Sequence, residues 1–330
     1  MNEMTAYRQF AEKMLHGDSK WIPAILKSMI NDEQAVLLVS LPGTAEDMAE
    51  KTGRSTQDIE NDLLDMFRKG LTFKKEKDGK TLWNPPLHIA QFHDATIVWP
   101  EATETFYENW RNYMEEEWPK MAEIFTQLLP RPYTRVIPVN KSIEGIRAQV
   151  LAPENVREMV ENAQKIAVTK CTCRTTMKNC DAPIDVCLQV NRGADYAIDR
   201  GSGREVSKEE AMDIIRRAQE EGLVHVTVNK SGMGHFICNC CGCCCQAFTL
   251  LISDGLPLCD PSRFIPVIDH DRCTACGECE DRCWFGAIVV DGESARVLDE
   301  KCLGCGQCAA VCPEEAIVLE EAREPGFIPS

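Results

Sequence analysis

The sequence has no apolar run of about 20 residues, so no segment reads as a membrane-spanning helix. Its first residues, MNEMTAYRQFAEKMLHG, have neither the basic start nor the apolar core of a secretory signal, and a cytoplasmic protein is expected. Basic charge is scarce. The 36 Lys and Arg face 52 Asp and Glu, a net charge of −16. That balance disfavours nucleic acid as a partner. A glycine-rich phosphate loop is also missing: GSGRE at 201–205 lacks the GxGxxG spacing and follows no predicted strand.

Cysteine, by contrast, is abundant, at 19 of 330 residues. Without a secretory signal, that number points to metal ligation and not to disulfides. The length and the 44% hydrophobic content suit a soluble globular protein of two or three domains.

Eight cysteines follow one rule. CTACGECEDRC at 273–283 and CLGCGQCAAVCP at 302–313 each read Cys-x2-Cys-x2-Cys-x3-Cys, with 18 residues between them. Three cysteines spaced by two can wrap one face of a cubane iron–sulfur cluster, while the fourth reaches the neighbouring cluster. Cys273, Cys276, Cys279 and Cys312 are therefore expected at one 4Fe–4S centre, and Cys302, Cys305, Cys308 and Cys283 at another. The fourth cysteine is expected to start a short helix. Gly277, Gly304 and Gly306 leave room for backbone N–H groups near the sulfurs, and Pro313 ends the second loop. Zinc ribbons use paired Cys-x2-Cys and do not produce this pattern. From about 264 to 320 the chain resembles the bacterial-type two-cluster ferredoxins. Residues 271–330 carry 13 acidic against 5 basic side chains, a net −8. An acidic face of that kind suits a redox partner with a basic docking surface, and equally suits solubility alone.

The fold class expected is α+β and multidomain: an N-terminal winged-helix-like domain (1–95), a helical connection (96–150), a small central α/β cysteine-rich module (151–262) and the dicluster domain (263–330). In the first segment, Thr44 and Ser55 or Thr56 are N-cap residues, Gly53 ends a short helix, and Asp78-Gly79 marks a hairpin. Three helices and a hairpin resemble a winged helix-turn-helix. Its would-be recognition helix, however, exposes Asp58, Glu60, Asp62 and Asp65, so partner docking is preferred to DNA binding. Glu101 to Leu129 is expected as a helical stretch. Its aromatic stripe (Phe106, Tyr107, Trp110, Tyr113, Trp118, Phe125) reads as core, and His88 and His93 as structural.

The central module has two cysteine loops. The strand KIAVTK leads into Cys171, Cys173, Cys180 and Cys187, and LVHVTVN with its following turn leads into Cys238, Cys240, Cys241, Cys243, Cys244 and Cys245. If the strands pair, both loops emerge at one edge of a small sheet, and ten thiols converge on at least one further iron–sulfur cluster. Two ligand sets stay open: Cys171, Cys173, Cys180 and Cys187 by themselves, or a set shared with 238–245. His225 and His235 read as strand histidines in preference to ligands or proton donors. Lys170 and Arg174 could neutralise cluster charge, and Cys259 reads as structural.

Electron transfer between an external partner, two low-potential cubanes and the central cluster is the leading expectation. A reductase with the central cluster as its active site, with catalytic residues unknown, and a redox-sensing DNA-binding regulator are the alternatives. Oxygen-labile clusters would suit an anaerobic cell.

Overall fold

The computed structural model describes residues 5–144, 146 and 149–330. The first four residues of the N-terminal stretch read above lie outside the described residues. The chain divides into two compact units. One runs to Met121 and adds Thr175–Met177 and Ala197–Gly203; the other comprises Ala122–Arg174, Lys178–Tyr196 and Arg204–Ser330.

In the first unit, helices α1 (Ala6–Lys13), α2 (Trp21–Lys27), α3 (Asp32–Ser40), α4 (Ala45–Thr52) and α5 (Thr56–Arg68) precede the hairpin β1 (Phe73–Lys77) and β2 (Lys80–Asn84), then α6 (Ile89–Ile97) and α7 (Glu104–Glu116). Local chemistry sets these boundaries. Thr44 and Asp47 exchange reciprocal hydrogen bonds at the start of α4, Gly53 ends it at φ 70°, and Ser55 caps α5. Asp78 and Gly79 turn the hairpin with φ of 52° and 74°.

The aromatic stripe splits. Phe106, Trp110 and Tyr113 are fully buried, with Trp110 5.0 Å from Phe92. The helical stretch is not continuous as expected: α7 stops and α8 (Trp118–Leu128) begins after Glu117. Pro119 lacks an N–H, and its ring opposes a helix running through it. The Glu117 carboxylate accepts instead from Ser19 Oγ (2.5 Å) and Lys20 N (2.8 Å). His88 caps α6 by accepting from Gln91 N, and His93 is buried against Trp110.

The second unit holds, wholly or in part, β3 (Thr134–Ile137), α9 (Asn140–Ile143), α10 (Val156–Asn162), β4 (Ile166–Lys170), α11 (Thr172–Met177), β5 (Asp185–Val190), α12 (Arg192–Asp199), β6 (Gly203–Glu205), α13 (Lys208–Glu220), β7 (Val224–Val228), β8 (Phe236–Cys240), α14 (Phe248–Asp254) and β9 (Cys259–Asp260). The sheet is larger than the sequence suggested, with seven strands in the order β6-β4-β5-β8-β7-β3-β9. β4 and β8 are both antiparallel to β5 and flank it. They therefore run parallel to each other and deliver their cysteine loops to the same end of the sheet, from interior strands and not from an edge.

The dicluster segment adds β10 (Phe264–Ile268), α15 (Glu278–Asp281), β11 (Ile288–Asp291), β12 (Ser294–Val297), α16 (Gln307–Val311) and β13 (Ile317–Glu321). β10 pairs with β13 and β11 with β12, all antiparallel. Here the expectation for the fourth cysteines is corrected. Gly277 and Gly306, at φ 84° and 74°, cap α15 and α16, so Cys283 and Cys312 follow the short helices and do not start them. Among the described residues, no helix is long and apolar enough to cross a membrane.

Candidate metal centres

The dicluster segment encloses two cavities. One, of ≈ 340 Å³ empty volume including its mouth, is lined by Cys273, Cys276, Cys279 and Cys312. The other, of ≈ 330 Å³, is lined by Cys283, Cys302, Cys305 and Cys308. Each cavity therefore draws three cysteines from one motif and one from the other. Backbone amides point at these sulfurs, among them Ala295 N at Cys273 (3.4 Å), Ala316 N at Cys312 (3.3 Å), Ala287 N at Cys283 (3.3 Å) and Gly304 N at Cys302 (3.4 Å). Such donors stabilise sulfur that carries negative charge. They lower the Cys273 thiol, led by Ala295 N. Burial pushes Cys305 up to about 12, the cost that a cationic iron core would offset. Gly304 has a further role, since a Cβ there would lie 2.1 Å from Phe264 O.

Nine of the ten central cysteines, for which the sequence left two ligand sets open, divide into two groups. Cys180, Cys241, Cys243 and Cys244 bring their sulfurs within 4.8 Å of one another. Cys180 lies 3.9 Å from Cys241 and 3.8 Å from Cys244, and Cys243 lies 3.8 Å from Cys244. Five others form an arc. Cys187 and Cys238 are 3.9 Å apart, Cys240 is hydrogen-bonded with Cys238 and Cys245, and Cys245 with Cys173. Strand position accounts for part of the division, since Cys245, also beyond β8, joins the arc. Cys238 and Cys240 share one face of β8, whereas Cys241, Cys243 and Cys244 lie in the turn beyond it. Cys171, Cys173, Cys180 and Cys187 are not gathered into a set of their own. Cys171 is buried, with its backbone N–H on Ile184 O, and burial pushes its thiol up to about 12.

Of the candidate cations, Arg174 reaches the site and Lys170 stays exposed at the end of β4. Arg174 is buried and donates from Nη1 to Cys241 Sγ (3.7 Å) and Asn239 O (3.0 Å), and from Nε to Pro183 O. The Cys241 thiol is pulled down by its hydrogen bond with Cys244 and by the Arg174 guanidinium. Neither histidine joins the cysteines. His225 lies on the other face of the sheet, 2.6 Å from Asn239 Oδ1, and His235 precedes β8 at the end away from the loop. Cys259 is buried in β9.

The two halves of this unit share a core. Phe248 and Phe285 meet edge to face at 5.1 Å, and around them pack Cys238, Cys240 and Cys245 from the central module and Cys283, Cys302 and Cys305 from the dicluster segment. Trp284 donates to Gly222 O (2.8 Å), and Gln307 Nε2 to Leu223 O (2.7 Å). Phe248, Trp284, Phe285 and Gln307 had carried no sequence signal. Gly242, lodged inside the cysteine run, is a signal that could have pointed to a close approach.

Residues 266–319 match the family of 4Fe-4S dicluster domains. No curated protein matches the chain. With the family match and two four-cysteine cavities, the chain carries two 4Fe–4S clusters, and an iron–sulfur electron-transfer role fits it.

Proposed function

We propose that the protein passes low-potential electrons through its two cubanes to or from a third cluster held by the central arc. Cys273, Cys276, Cys279 and Cys312 ligate the first cubane, and Cys283, Cys302, Cys305 and Cys308 the second. The third draws its ligands from Cys173, Cys187, Cys238, Cys240 and Cys245. The observation that carries this reading is the shared core, in which thiols of the second cubane and of the arc pack around Phe248 and Phe285. Bound there, the clusters supply one-electron chemistry. The chain excludes water from between them and holds their sulfurs with fixed N–H donors. Thiolate-only ligation favours low potentials.

The acidic dicluster face receives a redox partner with a basic surface, in the cytoplasm. The α4–α5 pair and hairpin, read as a winged-helix-like fold, dock a partner and do not bind DNA. Arg54 is committed to Asp62 (2.7 Å) and Glu33 (3.5 Å), and Lys69 to Asp65 (2.6 Å), so these cations at the ends of α5 are already neutralised.

The test is iron and labile-sulfide quantification on anaerobically prepared protein, with EPR after dithionite reduction. About twelve of each per chain is expected, at four per cubane-type cluster. About eight of each would remove the third cluster.

A further inference from the structure

We infer that Cys180, Cys241, Cys243 and Cys244 bind a single tetrahedral metal ion with no bridging sulfide, a centre separate from every iron–sulfur cluster of the chain. The inference shares its module with the function proposed above but does not depend on a third cluster.

Geometry separates the two kinds of centre. An ion bound by four thiolates at about 2.3 Å in a tetrahedron holds its sulfurs about 3.8 Å apart. Three of the six separations among these cysteines are 3.8, 3.8 and 3.9 Å, and all six lie within 4.8 Å. A cubane interposes iron and sulfide between its ligands, so its cysteine sulfurs stand much farther apart. The arc has close pairs that a cluster there would part, Cys187 with Cys238 at 3.9 Å, but among the described residues only the central four lie all within 4.8 Å of one another. The dicluster cysteines provide the internal comparison. They surround cavities of ≈ 340 and ≈ 330 Å³, and among the described residues they form no group as tight as the central four.

The surroundings suit such an ion. Four thiolates around a divalent cation leave a net charge of −2, and the buried Arg174 guanidinium lies 3.7 Å from Cys241 Sγ. Its Nη2 has no hydrogen-bond partner among the described residues, so one buried donor is left for that charge. Asn179 Nδ2 donates to Cys243 O (2.9 Å) and ties the two loops together beside the site. All-sulfur tetrahedral coordination selects thiophilic metals, Zn2+ foremost and iron second. With no open position, the ion crosslinks the loop after β4 to the loop after β8 and holds the neighbouring arc in shape.

The experiment uses the anaerobically purified full chain. Metal analysis is expected to give one zinc, or one iron in excess of labile sulfide. Zinc-edge X-ray absorption, or iron-edge if iron is the excess metal, should show four sulfurs at about 2.3 Å. Cys180→Ser together with Cys243→Ser should abolish that one equivalent and leave the sulfide count and the dicluster EPR signal intact. If the double variant does not fold, absorption on the parent protein decides. The inference is overturned if no such metal is found, or if the double variant loses iron and sulfide together. Eight irons plus one zinc would refute the third cluster and uphold this site.

Discussion

Trp284 closes over Gly242: a Cβ on that glycine would lie 2.8 Å from Trp284 Cε3 and 3.1 Å from Trp284 Cβ. The residue after Cys283 thus sits against the middle of the central cysteine run. Gly242→Ala should overpack this contact and cost about 1–3 kcal/mol, read as a lower denaturant midpoint. It should also slow reduction of the proposed central cluster by the cubanes in stopped flow. An unchanged midpoint would mean that the contact yields freely.

The proposed cross-ligation makes a directional prediction. Cys312→Ser should damage the cluster of the first motif, and Cys283→Ser that of the second. Each should remove about four irons, or leave a three-iron remnant, and should simplify the reduced EPR spectrum by ending the interaction between two paramagnets. Loss of both clusters in either variant would count against independent centres.

A buried ion pair anchors the dicluster segment. Arg263 Nε lies 2.9 Å from Glu154 Oε1, both side chains being almost fully buried, while Nη1 reaches Glu321 and Nη2 Gln149 O. Glu154→Ala leaves the guanidinium buried with less compensation and should cost about 3–5 kcal/mol in denaturant unfolding. A loss below about 1 kcal/mol would place the pair in solvent contact.

His225 gives a pH dependence. It is fully buried, and burial lowers its pKa to about 4 from 6.5. The unfolded chain therefore takes up a proton that the folded one refuses as pH falls below about 6.5. Stability should drop through that window and level off near pH 4, by about 3 kcal/mol in all. His225→Gln should flatten this part of the stability–pH curve, followed by thermal unfolding at constant iron content. An unaltered slope would refute the assignment.

Much of the dicluster site is legible from residue order because its ligand spacing is local. Cysteines three apart, with glycines at positive φ before α15 and α16, fold around a cluster almost wherever they occur. Caps behave alike: Thr44, Gly53 and Ser55 act within a turn of themselves. The break at Glu117 could be read from Pro119, but the tie to Ser19, far away in sequence, could not.

By itself the sequence determined that eight cysteines form two interleaved sets and that ten more lie in two loops. How those ten divide was decided only by tertiary structure. β4 and β8 flank β5 and run the same way, so both loops reach one end of the sheet. There the alternation of β8 sends Cys238 and Cys240 toward the shared core with Phe285, while the turn after it carries Cys241, Cys243 and Cys244 to Cys180. Neighbours in sequence are parted by the period of a strand, and cysteines about sixty residues apart are joined by sheet order, which no local spacing encodes.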